Sequence, residues 1–404
     1  MYYFDYFKGF AHAELDLSKP LTVLIGANGS GKSNLIEAIE LLSFIAQGGK
    51  LHDITELGRG GQLEIRGGLQ SCAQYGQNAF SLGVRTQEFA YSVKVQTKPV
   101  PQIVKEQLFF KQKRFFETLE NHHNAKGEIL VNYDKEGVEH KKYVSARQSV
   151  LSQYHKIVEI KQQNPFENLI QMAFRSPFIF EPNSKLMRQY EQIGNPKLAK
   201  NGANLSAVLY EWISENERIE RLLNWIRQLP NEPYLGFDFD VTKYNSVMFG
   251  LKEGNEGNSI GANLLSDGTL RSLAILTLLE LGLVDVGFNS LVIIEEFDNG
   301  LYPSRIKGLF KAIVDYCQAQ PFNMLVTTHN PATLNALPSE QLDGVVLCTG
   351  DKLVKLDDLP RYPELLERGQ LGELVTRRVI DQYLVPDFEE ERQREAFQWL
   401  EKLP

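Results

Sequence analysis

Four short stretches of this chain gather the side chains that do chemistry on phosphates. The first is Gly26-Ala27-Asn28-Gly29-Ser30-Gly31-Lys32-Ser33-Asn34. Its glycines let successive backbone N–H groups turn inward around an anion, Lys32 reaches the terminal phosphate oxygens, and the Ser33 hydroxyl can ligate Mg²⁺. The second is Leu291-Val292-Ile293-Ile294-Glu295-Glu296, an apolar strand pattern ending in two acids. At the C-terminal edge of a sheet, where ligands bind, Glu295 would hold the Mg²⁺ shell through water and Glu296 would polarise the attacking water as general base. The third, Leu264-Leu265-Ser266-Asp267-Gly268-Thr269-Leu270-Arg271, sets a hydroxyl and a glycine just before an apolar helix. Such a turn is either a second anion site or a plain helix cap by Ser266 or Asp267. The fourth, Met324-Leu325-Val326-Thr327-Thr328-His329-Asn330-Pro331, delivers His329 to the end of another buried strand.

These residues need elements to hold them. Leu21–Ile25 predicts a strand ahead of the glycine loop, and Asn34-Leu35-Ile36-Glu37-Ala38-Ile39-Glu40-Leu41-Leu42 has helical periodicity after it. Short strands are expected at Tyr2–Phe7 and Ala13–Leu17, closing an N-terminal lobe over 1–90. The alternating runs Tyr91–Val95, Glu106–Phe110 and Glu128–Asn132 predict an antiparallel β-subdomain over 91–147. From 148 to 233 the period turns helical, around Leu205–Trp212 and Ile219–Ile226, which predicts an inserted helical arm closed by Pro230 and Pro233. Over 234–404, strands at Phe237–Val241 and Ser246–Leu251 precede helix Leu270–Leu281, strand Leu291–Ile294, helix Pro303–Cys317 and strands Asn323–Thr328 and Gly344–Cys348. Strands separated by helices imply an α/β fold with a largely parallel sheet, covered on both faces.

Composition narrows the class. At 43% hydrophobic residues the chain can bury a sizeable core, and no run reaches the ~20 apolar residues of a membrane span, so a cytoplasmic location is expected. Cys72, Cys317 and Cys348 are too scattered for a disulfide or zinc framework. A net charge of −8 opposes non-specific coating of nucleic acid, although Arg59 and Arg66 in a glycine-rich segment could touch it. The lysines and arginines between Lys105 and Lys156 are interspersed with acids and read as a solvated surface. His122, His123, His140 and His155 lack the partners and spacing of a metal site.

Taken in chain order, as glycine loop, Ser266–Gly268 signature turn, acidic strand and His329, the four stretches resemble the ATP-binding-cassette class of P-loop ATPases, and more narrowly the branch holding the RecF, SMC and OLD-type ATPases. Glu295-Glu296-Phe297-Asp298-Asn299-Gly300-Leu301-Tyr302-Pro303, Phe4-Asp5-Tyr6-Phe7-Lys8-Gly9-Phe10 and Asn201-Gly202-Ala203-Asn204-Leu205 add to the likeness. The resemblance implies a P-loop head with a mixed sheet, ATP and Mg²⁺ as ligands, and a head-to-tail dimer sandwiching two ATPs. Ser266 and Gly268 would then close in trans over the γ-phosphate, as would Asn299 and Gly300, while His329 would be the switch residue. A glutamine joining the lobes is also expected, and Gln153 is the candidate.

Two departures stand out. Glu295 replaces the usual Asp and is one methylene longer, which could displace the Mg²⁺ shell. Asp267 and Thr269 stand where transporters commonly carry Gly and Gln. The expected function is an ATP-driven switch that dimerises and controls a separate partner, a nuclease or other effector in DNA repair or phage defence. A RecF-like DNA-binding ATPase and a non-hydrolysing scaffold are the alternatives.

Overall fold

Strands in the central sheet send alternate residues into two different cores. The structure is a computed structural model that describes residues 1–380 apart from 112, 136, 159–165, 231–232, 255–257, 285–290, 320–322, 360–361, 363–368 and 378–379. The central sheet has six strands in the order Phe178–Phe180, Val292–Ile294, Met324–Thr328, Leu21–Ile25, Val345–Cys348 and Leu353–Lys355. Each pairs parallel with the next except the last, which is antiparallel. Val23, Ile25, Ile294, Val326 and Leu347 enter one core, while Leu24, Ile293, Leu325 and Val346 enter the other. Burial on both faces is why these strands are near-continuous apolar runs.

The second core lies with helix Lys32–Ala46 and an eight-stranded antiparallel sheet. That sheet runs in the order Val138–Ser145, Glu128–Lys135, Lys113–His123, Gln102–Phe110, Phe89–Gln96, Ala79–Arg85, Tyr2–Phe7 and Phe10–Leu15. It crosses residue 90, so the expected N-terminal lobe and β-subdomain share one sheet. Lys113–His123 and Val138–Ser145 are strands beyond the three alternating runs seen in the sequence. Their outer residues are charged and few of their side chains are buried, so periodicity alone was weak there.

The helices of 148–233 do not form a free-standing arm. Phe180, Met187, Leu205, Val208, Trp212, Leu222 and Ile226 share one core with Leu270 and Leu273 of helix Asp267–Val284 and with Phe310 of helix Pro303–Ala319. The same segment supplies the strand Phe178–Phe180 beside Val292–Ile294. Amphipathic periodicity shows that a helix has an apolar face; it cannot show what covers that face.

Candidate functional site

The glycine loop is shaped by close packing as much as by turn geometry. Gly29 and Gly31 sit at φ 80° and 102°, a region that disfavours side chains. A Cβ on Gly31 would come within 2.6 Å of the Phe10 ring, and one on Gly26 within 2.4 Å of the Cys348 carbonyl oxygen. Strand Phe10–Leu15 and strand Val345–Cys348 therefore clamp the loop from two sides. Gly31 caps helix Lys32–Ala46 without any side-chain hydrogen bond, so the first-turn N–H groups point to an anion position. Lys32 Nζ donates to the carbonyls of Gly26 (2.6 Å) and Ala27 (3.0 Å), and burial lowers its pKa.

Acids arrive at this loop from strands two and three places along the sheet from Leu21–Ile25. Ser33 Oγ donates to Glu295 Oε2 at 3.3 Å, across 262 residues of sequence. The extra methylene of Glu295 thus still lets its carboxylate meet the loop hydroxyl. Burial raises the Glu295 pKa first and the charge of Glu181 raises it further, against the Ser33 hydrogen bond. Glu181 follows strand Phe178–Phe180 directly, and Glu295 N donates to Phe180 O at 3.0 Å, so the two acids leave adjacent parallel strands. Sequence reading missed Glu181 although Phe178-Ile179-Phe180-Glu181 repeats the grammar of Val292-Ile293-Ile294-Glu295; it lay inside a segment read as helical.

Glu296 is exposed and held in a left-handed conformation at φ 46°. Its N–H donates to Thr327 Oγ1 (3.1 Å), its carbonyl accepts from Asn299 N (3.0 Å), and its carboxylate accepts from Asn299 Nδ2 (3.1 Å). A non-glycine residue in that region is strained unless its surroundings over-determine it. Here they fix the carboxylate at the mouth of the site.

A cavity of about 240 Å³ joins these groups. Asn28, Gly29, Gly31, Lys32, Ser33 and Asn34 line one side, and Glu295, Glu296 and His329 line another. His329 follows strand Met324–Thr328, whose Thr328 is paired with Ile25, and this register carries the imidazole to the glycine loop. Ser30 is buried behind the loop, where its carbonyl accepts from Gly350 N at 3.1 Å. Arg66 also lines the cavity, donating to Glu37 Oε1 (2.7 Å) and Asn34 Oδ1 (3.3 Å). Considered in the sequence for nucleic acid, Arg66 instead borders the phosphate loop, whereas Arg59 pairs with Glu56.

Gln153 does not reach the site. Its side chain is buried, and Nε2 donates to the carbonyls of Ser145, Gln148 and Ser149 at the start of helix Val150–Ile157. An amide so engaged belongs to the scaffold of that helix. Among the described residues no group of three or more His, Cys, Asp or Glu side chains forms a separate metal site.

Ser266 and Gly268 stand apart from the cavity within one chain. Ser266 is exposed and its Oγ accepts from Thr269 N at 3.1 Å, which makes it a helix cap. Gly268 is buried against the loop Asp298–Gly300, where a Cβ would meet Gly300 O at 3.2 Å. Asp267 pairs with Arg188 at 2.6 Å. Asn299 belongs to both places, since it touches Glu296 and precedes Gly300.

A family model described as "AAA domain, putative AbiEii toxin, Type IV TA system" matches residues 21–335. The DNA replication and repair protein RecF of Gloeobacter violaceus is 51% identical over 37 residues, which is 9% of this chain and 10% of that protein. RecF of Picosynechococcus sp. is 37% identical over 81 residues, 20% of this chain and 21% of that protein. The matches therefore span only about a tenth to a fifth of the length of these curated relatives. Among solved structures, an SMC head bound to the C-winged helix domain of ScpA gives a TM-score of 0.49 at 11% identity, covering 87% of this chain and 95% of that one. The SMC head domain from Thermotoga maritima gives 0.40 at 13% identity, covering 88% and 97%. With its glycine loop, acidic strand and His329 gathered on one central sheet and the family match spanning them, the chain belongs to this AAA-domain family.

Proposed function

We propose that this protein is an ATP-hydrolysing switch that closes into a pair when ATP binds and opens after hydrolysis, thereby controlling a separate protein. The observation that carries the reading is the meeting of Ser33 with Glu295 in a cavity that also holds Lys32, Glu296 and His329. The loop N–H groups and Lys32 fit the β- and γ-phosphates. Ser33 Oγ and the Glu295 carboxylate are hard oxygen donors, the set Mg²⁺ prefers. Bound there, Mg²⁺ supplies charge neutralisation on the phosphate oxygens. Glu296 accepts the proton of the attacking water, and His329 contacts the γ-phosphate or that water.

Pairing follows from what the cavity lacks. The cavity of about 240 Å³ adjoins one of about 690 Å³ that shares Asn28, Gly29 and His329, so room for a nucleoside triphosphate is present, and what one chain leaves to be supplied is a wall beyond the γ-phosphate. The exposed Ser266 at the start of an 18-residue helix is suited to provide it from a partner protomer. The controlled protein would be a nuclease or other effector in DNA repair or phage defence, in the cytoplasm. No helix among the described residues is long and apolar enough to cross a membrane. The short RecF matches support a second reading, in which nucleic acid is bound directly and duplex DNA raises the rate.

Lys32→Ala should abolish nucleotide binding. Glu296→Gln should bind ATP, fail to hydrolyse it and double the molar mass in solution, and adding Ser266→Arg should return the mass to the monomer value. Hydrolysis surviving in Lys32→Ala would reject the site; a mass indifferent to both ATP and Ser266→Arg would reject the shared wall.

A further inference from the structure

Arg271 is a buried cation outside the phosphate cavity that nevertheless touches the general base's backbone. It lies in the second turn of helix Asp267–Val284, four residues after Asp267, and is 8% exposed. Its Nη2 donates to the carbonyl of Glu296 at 3.4 Å, and its Cδ would be 3.7 Å from a Cβ placed on Gly300. One side chain thus joins three parts: the helix that begins at the Ser266–Gly268 turn (the signature turn), the loop Asp298–Gly300, and the residue at φ 46°.

The Glu296 backbone is pinned from two directions. Thr327 Oγ1 of the switch strand accepts its N–H, and Thr327 O accepts from Phe297 N at 3.0 Å. From the other side, Arg271 and Asn299 donate to its carbonyl. Thr327 sits in the middle of a parallel sheet and is fixed. Arg271 rides on the helix whose first turn presents Ser266 to the outside. A shift of that turn would therefore move one anchor of Glu296 and leave the other in place.

Arg271 also has capacity for a second arrangement. Its Nε and the buried Asp298 Oδ1 have no hydrogen-bond partner among the described residues. Burial lowers the arginine's pKa, while the charges of Glu296, Glu181, Asp267 and Asp298 oppose that, so the guanidinium is bordered by acids on several elements. Switching elements need two discrete arrangements of comparable energy, and a cation with unspent donors among several carboxylates meets that requirement.

We infer that Arg271 is a positioning residue that ties the geometry of Glu296 to the state of the same protomer's signature turn. The inference rests on the reading of the site as an ATPase shared between two protomers. In such a pair a protomer's signature turn engages the nucleotide held by its partner, whereas its Glu296 serves its own nucleotide. Arg271 then makes hydrolysis at one site sensitive to occupancy of the other, and turnover becomes cooperative in ATP.

Arg271→Met keeps the aliphatic stem against Gly300 and removes every donor; Arg271→Lys keeps the charge with a shorter reach. The full chain with Mg²⁺ and ATP is measured for equilibrium ATP binding, melting temperature and rate against ATP concentration. The wild type should show a Hill coefficient above one. Arg271→Met should bind ATP within about two-fold of wild type, lose at least ten-fold in kcat and fall to a Hill coefficient of one, with Arg271→Lys recovering part of both. Wild-type kcat and Hill coefficient in Arg271→Met would overturn the inference, as would a wild-type Hill coefficient of one. Loss of ATP binding in both variants would make the residue structural and overturn it too. A wild-type chain that does not turn over ATP would instead reject the ATPase reading itself.

Discussion

Two carboxylates in different sheets are both pushed toward the protonated form by burial, and only one of them belongs to the candidate site. Glu106, in strand Gln102–Phe110 of the antiparallel sheet, is fully buried, and burial lifts its pKa to about 7. Its Oε2 accepts from Val150 N (2.7 Å) and its Oε1 from Leu151 N (3.0 Å) and the Tyr91 hydroxyl (3.0 Å). Glu295, at the edge of the parallel sheet, has the Ser33 hydroxyl and two neighbouring acids. The first carboxylate spends its acceptor capacity on the protein. The second keeps capacity for something the protein does not contain. A perturbed pKa alone therefore does not mark a site; the remaining lone pairs do.

The largest expected effect is on the buried peg. Glu106→Ala strands two N–H groups at the start of helix Val150–Ile157 and the Tyr91 hydroxyl in a dry core, so it should cost roughly 3–5 kcal/mol in urea unfolding. ATP affinity of the folded fraction should be unchanged. A loss below about 1 kcal/mol would erase the distinction between the two carboxylates.

Acid sharpens the same contrast. The folded chain holds the Glu106 proton up to about pH 7, whereas the unfolded chain releases it near the ordinary 4.5. The unfolded state thus binds fewer protons in that window, and stability should fall as pH rises from 4.5 to 7, then level off. The full change is on the order of 3 kcal/mol. Subtracting the profile of Glu106→Gln isolates it from other groups; matching profiles would contradict the assignment.

A smaller effect distinguishes the acids at the parallel edge from each other. On the proposed reading Glu295→Gln removes a metal donor and should weaken Mg²⁺-dependent ATP binding roughly 10- to 100-fold. Glu181→Gln removes a charge that raises the Glu295 pKa, so the pH at which Mg²⁺-dependent binding fails should move down, with little change at neutral pH. Titration calorimetry at several pH values separates the two, and equal losses would mean that both carboxylates hold the metal.

The fold class was legible in the sequence, and so was which stretches end together at one edge of the central sheet. The phosphate loop, the acid pair and His329 could be named because each sits at the end of an apolar run, and parallel strands deliver their C-terminal residues to one edge. The strands flanking them were legible to within a few residues for the same reason. Glu181 escaped because a three-residue strand between helices has too little length to show a period. Gln153 lies away from the cavity, held by backbone carbonyls, and an amide's partners are something no spacing reveals. What covers the helices of 148–233 was not legible because the partner of an amphipathic face is set by tertiary contacts.

The smallest change in stability tests what Glu296 is for. Its φ of 46° costs about 1–2 kcal/mol for a residue with a Cβ, and glycine removes that cost while giving back roughly 0.5–1 kcal/mol in chain entropy. Glu296→Gly also loses the Asn299 contact, which is exposed and contributes little to stability. The variant should therefore melt at or slightly above the wild-type temperature, gaining up to about 1 kcal/mol, although hydrolysis should fall by the roughly 10²–10⁴-fold of a lost general base. Such a pairing of higher stability with lower activity is the opposite of the behaviour expected at Glu106, where the side chain holds the fold. A Glu296→Gly chain destabilised by more than about 1 kcal/mol would show that this carboxylate too is a structural peg, and the difference between the two sheets would then be one of exposure rather than purpose.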